Sequence, residues 1–70
     1  MILFMLKEIL EKENMSQNQF SKISDVRPNT INNICNDNLK RLELSTFDKI
    51  LKTLVSMGYE IEDIIQYKKE

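Results

Sequence analysis

The chain holds 70 residues, of which 41% are hydrophobic and 30% charged, and this composition predicts one compact all-α domain over residues 1–70. One cysteine and no histidine exclude an internal disulfide and disfavour both a metal site and a histidine-based catalytic centre, so we expect no enzyme, no metal and no cofactor. The net charge of −1 does not by itself favour nucleic acid, and the longest apolar run, Met1 to Leu6, is too short for a membrane span, so we expect a cytoplasmic protein.

The N-terminal segment predicts a first helix over Leu3 to Glu13. Its apolar side chains recur at helical spacing, at Leu3, Leu6, Ile9 and Leu10. Four further apolar residues exceed what this stripe can bury: Met1, Ile2, Phe4 and Met5. They belong either to an arm that is tucked into the core or to a surface that covers a partner.

Two short helices joined by a tight turn are predicted next. Helix 2 begins at Gln17, because Ser16-x-x-Gln19 is a capping box, and it ends near Ser24. Helix 3 begins at Pro28, because proline suits the first position of a helix and disrupts its interior. The expected buried residues of this pair are Phe20, Ile23, Val26, Ile31, Ile34 and Cys35. The inward position of Cys35 favours a core side chain over a redox sensor.

A polar loop from Asn38 to Leu44 separates this pair from the fourth helix. We expect its apolar residues to anchor it: Leu39, Leu42 and Leu44. The pattern Ser45-x-x-Asp48 predicts the start of helix 4, and Gly58 predicts its end. The expected buried stripe of helix 4 comprises Phe47, Ile50, Leu51, Leu54 and Val55.

A short fifth helix is predicted around Ile61 to Tyr67, followed by a frayed tail from Lys68 to Glu70. Its expected buried residues are Ile61, Ile64 and Ile65. The acidic residues at its start favour a solvated helix N-terminus over a catalytic cluster: Glu60, Glu62 and Asp63.

Positive charge and asparagine both concentrate in the middle of the chain. Residues 15–41 carry four cations against two acids and hold six of the seven asparagines. At about 100° per residue, Asn29, Asn33 and Asn36 lie opposite the buried stripe of helix 3, with Thr30 and Asn32 beside them. Because an asparagine amide bonds an adenine edge at two atoms, this face suits a DNA major groove. The alternative is an ordinary solvated surface in an asparagine-rich protein.

Residues 17–37, QNQFSKISDVRPNTINNICND, resemble the helix-turn-helix signature of the lambda-repressor and Cro-like (Xre) family of bacterial and phage regulators. The flanking elements agree with that family over about residues 3–66. The resemblance implies a five-helix lambda-repressor-like DNA-binding domain with the helix-turn-helix formed by helices 2 and 3. Asp25 and Asp37 stand where the family usually has glycine, and aspartate tolerates the left-handed backbone that those positions require.

The resemblance also implies roles for individual residues. The expected base contacts are Arg27, Asn29, Thr30, Asn32 and Asn33. The resemblance makes Gln17 a phosphate contact, and we expect Asn36, Lys40 and Arg41 to contact phosphates as well. The function expected is a sequence-specific transcriptional regulator that binds double-stranded DNA as a homodimer, with Ile2, Phe4 and Tyr67 as the dimer patch. The alternative is an antitoxin or antirepressor, a protein-interaction module of the same fold with weak or no DNA binding.

Overall fold

The structure, a computed structural model, describes residues 1–69. Within them the elements in chain order are β1 (Ile2–Phe4), α1 (Leu6–Lys12), α2 (Gln17–Ser24), α3 (Pro28–Cys35), α4 (Leu44–Ser56), α5 (Ile61–Ile64) and β2 (Ile65–Tyr67). The expected five-helix fold is confirmed, with a two-stranded sheet added to it. Among these residues no helix has the length and apolar character to cross a membrane.

The local signals around α2 and α3 act as predicted. The Gln19 N–H donates to Ser16 Oγ at 3.1 Å, and the Ser16 N–H donates to Gln19 Oε1 at 2.8 Å, so the capping box is complete. Pro28 occupies the first turn of α3. Asp25 ends α2 in the left-handed conformation, with φ 59° and ψ 34°. The chain therefore turns sharply between two short helices without a glycine.

All five helices contribute to one hydrophobic core. Its buried members are Leu6, Ile9, Leu10, Phe20, Val26, Ile31, Ile34, Cys35, Ile50, Leu54 and Ile64. The loop residues Leu39 and Leu42 pack against it, as expected for anchors. α3 packs against both α1 and α2, and this packing fixes its orientation in the domain.

The prediction that Ile23 is buried is wrong, since its side chain is 56% exposed. α2 instead turns Phe20, Ser21 and Ser24 inward. The Ser21 hydroxyl donates to the Val26 carbonyl, and the Ser24 hydroxyl donates to the Phe20 carbonyl at 2.7 Å. Small serines whose hydroxyls bond the backbone let neighbouring helices approach closely, and this rotates Ile23 into solvent.

The start of α4 also differs from expectation, as do three apolar residues that were expected to be buried or to anchor the loop. The helix begins at Leu44 with Glu43 at the N-cap, so Ser45 lies inside the first turn and does not cap it. Leu44 is exposed and anchors nothing, and both Val55 and Ile61 are more than half exposed. The helix end is as predicted, because Gly58 adopts φ 101° directly after the C-cap.

A short antiparallel ribbon replaces the predicted ends of helices 1 and 5. β1 pairs with β2 in the register Ile2↔Tyr67, Leu3↔Gln66 and Phe4↔Ile65. Backbone bonds continue this pairing at both ends, where Met5 N–H donates to the Ile64 carbonyl and Lys68 N–H donates to the Met1 carbonyl, each at 2.7 Å. The predictions of helix at residues 3–5 and 65–67 and of a frayed Lys68 are therefore wrong, and Glu70 lies outside the described residues.

Candidate nucleic-acid interface

α3 presents a face of amide side chains that the core holds in place. Ile31, Ile34 and Cys35 are buried, and they fix the rotation of the helix about its axis. On the other side, Asn29, Asn32 and Asn36 are exposed, while Thr30 and Asn33 are half-buried. Arg27 is exposed at the N-cap of the helix. The predicted base-contacting residues therefore lie together on or beside α3.

A chain of hydrogen bonds joins this amide face to the start of α2. Asn36 Nδ2 donates to Asn32 Oδ1 at 3.1 Å, and Asn32 Nδ2 donates to Gln17 Oε1 at 3.2 Å. Both ends of the Asn32 amide are engaged, so its orientation is set by its neighbours. Gln17 keeps its Nε2 hydrogens and Asn36 keeps its Oδ1 for other partners. Gln17 and Asn32 are fifteen positions apart, and no sequence signal predicts their contact.

The turn between α2 and α3 is held by a residue that the sequence analysis missed. Lys49 Nζ on α4 lies 3.5 Å from Asp25 Oδ2 and donates to the Asp25 carbonyl at 3.4 Å. Both side chains are substantially exposed, so the pair contributes at most about 1 kcal/mol. The pair also places a cation beside Asp25, one of the two acids in residues 15–41.

The loop after α3 carries the two cations that were predicted to contact phosphates. Lys40 and Arg41 are adjacent and both exposed, and the half-buried anchors Leu39 and Leu42 flank them. Among residues 1–69, neither cation forms an ion pair or a side-chain hydrogen bond. Asp37, in the left-handed conformation at φ 56°, directly follows Asn36, the C-cap of α3. The structure thus places the cations next to α3 without joining them to the amide network.

Cys35 behaves as a core residue. Burial, followed by the nearby Glu8 carboxylate, raises the pKa of its thiol above the usual value of 9.0. The thiol is therefore protonated at neutral pH, and this disfavours redox or nucleophilic chemistry. Among the described residues, no group of histidine, cysteine, aspartate or glutamate side chains is arranged to hold a metal ion.

The three residues of the predicted dimer patch have different surroundings. Ile2 and Tyr67 face each other across the ribbon and are 69% and 75% exposed. Phe4 is half-buried, and its ring meets the Phe47 ring edge-on, with 5.9 Å between the centroids. Phe4 thus already has an intramolecular partner, whereas Ile2 and Tyr67 present apolar surface to solvent.

Comparison with known proteins gives one family match. A family model described as a Cro/C1-type HTH DNA-binding domain matches residues 5–70, which include the amide face, the turn and the cationic loop. Comparison with curated proteins finds no match.

Proposed function

Because this chain belongs to the family of Cro/C1-type helix-turn-helix DNA-binding domains, we propose that it is a cytoplasmic transcriptional regulator that reads specific double-stranded DNA sequences as a homodimer. Residues 1–70 act as one domain, by binding alone, without catalysis or cofactor. The observation that carries the proposal is the exposed amide face of α3, set against a buried stripe on the same helix.

In the proposed complex, α3 lies in the major groove. The base-reading residues are Arg27, Asn29, Thr30, Asn32 and Asn33. An asparagine amide pairs with an adenine edge by accepting from the N6 amine and donating to N7, so half-sites should contain A·T pairs. Asn32 retains one amide hydrogen for a base after its bond to Gln17.

The phosphate contacts proposed are Gln17, Asn36, Lys40 and Arg41. The Nε2 group of Gln17 is a donor that its bond with Asn32 leaves available. Lys40 and Arg41 supply charge from the loop that follows α3. Phosphate contacts set the register of the protein on DNA, and the base contacts then supply the specificity.

The salt dependence of DNA binding should be shallow. Of the ten lysines and arginines in each protomer, only Arg27, Lys40 and Arg41 are among the proposed DNA contacts, so a slope of log K against log salt of about −5 is expected for a dimer. Lys40→Gln should reduce the magnitude of the slope by about 2 per dimer, whereas Lys52→Gln, on the exposed surface of α4, should leave it unchanged. Binding isotherms at several salt concentrations measure the slope. A wild-type slope steeper than about −8 would contradict the proposed contacts.

The dimer is proposed to form through the ribbon, with Ile2 and Tyr67 at its centre and Phe4 beside them. A monomer reads too few base pairs to select one site, whereas two half-sites about one helical turn apart suffice. The double variant Ile2→Ser, Tyr67→Ser should weaken self-association and DNA binding together. Both side chains are exposed, so the helices seen by circular dichroism should persist.

Sedimentation across micromolar concentrations measures this effect. Val55→Ser is the matched control, because Val55 is also an exposed apolar residue but lies on α4. A monomeric wild type at high micromolar concentration, or a double variant that dimerises normally, would show that the ribbon is not the interface.

Selection of bound sequences from random duplex DNA at defined salt tests the function itself. An enriched palindrome with A·T pairs in each half-site is the expected result. The absence of any enriched sequence would instead favour the protein-interaction module, an antitoxin or antirepressor. The net charge of −1 and the exposed apolar end of the ribbon are the features that favour this second candidate.

A further inference from the structure

A groove of about 540 Å³ lies between the ribbon and the loop that follows α3. Its volume is within the range of about 300–1,000 Å³ that is usual for small-molecule sites. Apolar lining residues come from every neighbouring element, among them Ile2, Phe4, Ile34, Leu42, Phe47 and Ile65. The charged part is Asp37, Lys40 and Arg41. An apolar wall with a few charged groups on one side is typical of a site that both holds and orients a ligand.

We propose that this groove binds an amphipathic anion, a medium-chain alkyl carboxylate, and that the bound anion weakens DNA binding. The apolar wall fits the alkyl chain. Lys40 and Arg41 outnumber Asp37, so the charged side has an excess of one positive charge. An arginine guanidinium forms paired hydrogen bonds with a carboxylate, and this chemistry favours an acid over a neutral alcohol of the same length.

The effect on DNA follows from shared residues and rests on the proposed function. Lys40 and Arg41 line the groove, and they are also the proposed cationic phosphate contacts. A carboxylate bound to them competes with DNA phosphates for the same positive charge. Linkage then requires that DNA weakens carboxylate binding by the same factor. The groove also reaches α3 itself, because Ile34 is among the residues that line it.

The binding part of the proposal is tested on the protein without DNA. Calorimetric titration with decanoate, octanoate, hexanoate and 1-decanol, each below its micelle or solubility limit, gives the affinities. Affinity should fall about fourfold for each CH₂ removed, and 1-decanol should bind at least about tenfold more weakly than decanoate. The double variant Lys40→Gln, Arg41→Gln should lose the preference for the acid, while Lys52→Gln should keep it.

Several outcomes would overturn the site. These are no binding of decanoate, affinity independent of chain length, equal binding of acid and alcohol, or equal weakening by Lys52→Gln. Loss of helical circular dichroism on adding decanoate would also overturn it, because the acid would then act as a denaturant.

The DNA part uses the duplex obtained by selection. Decanoate at saturating concentration should lower the affinity of the wild type for this duplex by at least about fivefold, and hexanoate at the same concentration should have little effect. Unchanged DNA affinity with decanoate bound would overturn the coupling and leave the carboxylate site standing. A failure of the selection to yield any duplex would contradict the proposed function alone, since the titrations without DNA do not depend on it.

Discussion

Phe20→Ala should leave the chain largely unfolded at room temperature. Phe20 has no solvent exposure and lies at the middle of α2, which packs against α3 and α4. Truncating a buried phenylalanine costs about 3–5 kcal/mol, because the lost apolar contacts leave a cavity that the surroundings fill incompletely. A domain of this size has only a few kcal/mol of net stability. One substitution therefore removes most or all of it.

Urea denaturation followed by circular dichroism measures this effect. Ile23→Ala is the matched control on the same helix, and its exposed side chain should change the free energy of unfolding by less than about 1 kcal/mol. If the urea midpoint of Phe20→Ala lay near that of the wild type, the packing of Phe20 would not be what stabilises the core.

Asn29→Ala and Asn33→Ala should each reduce affinity for the selected duplex by roughly 5- to 150-fold, which corresponds to about 1–3 kcal/mol per lost base contact. Neither amide forms a side-chain hydrogen bond within the described residues, so each is available to a base. For the same reason, the fold should tolerate both changes. Affinity for an unrelated duplex, which depends on phosphate contacts, should hardly change.

Fluorescence anisotropy with the two duplexes separates these effects. Gln66→Ala provides the control, since it removes an exposed amide from β2 and leaves α3 intact. If both asparagine variants bound the selected duplex as tightly as the wild type, α3 would not be the reading element.

The parts of the fold that the sequence predicted depend on neighbouring residues. The capping box spans Ser16 to Gln19, Pro28 acts on its own helix, and the left-handed positions at Asp25 and Gly58 are decided by local backbone geometry. Such signals lie within one helical turn of the structure that they specify. The turn, the two short helices and the exposed amide face were predictable for this reason.

The features that the sequence failed to predict depend on distant residues. The continuous apolar run from Met1 to Leu6 suits a helix as well as it suits a strand, and only pairing with residues near position 66 decides in favour of a strand at Ile2–Phe4. The contact of Lys49 with Asp25 and the bond of Asn32 to Gln17 likewise join separate elements. Ile23 is exposed because two serines take the inward positions, a packing choice that helical periodicity alone does not reveal.

The ribbon has a consequence for the order in which the chain folds. It joins residues up to 67 positions apart, and closing so long a loop in an unfolded chain costs about 4 kcal/mol of entropy. Once α1 and α5 are packed, Met5 and Ile64 are already in contact, so most of the loop-closure entropy has already been lost. The strands therefore pair last and separate first, so that substitutions in them accelerate unfolding and barely slow folding.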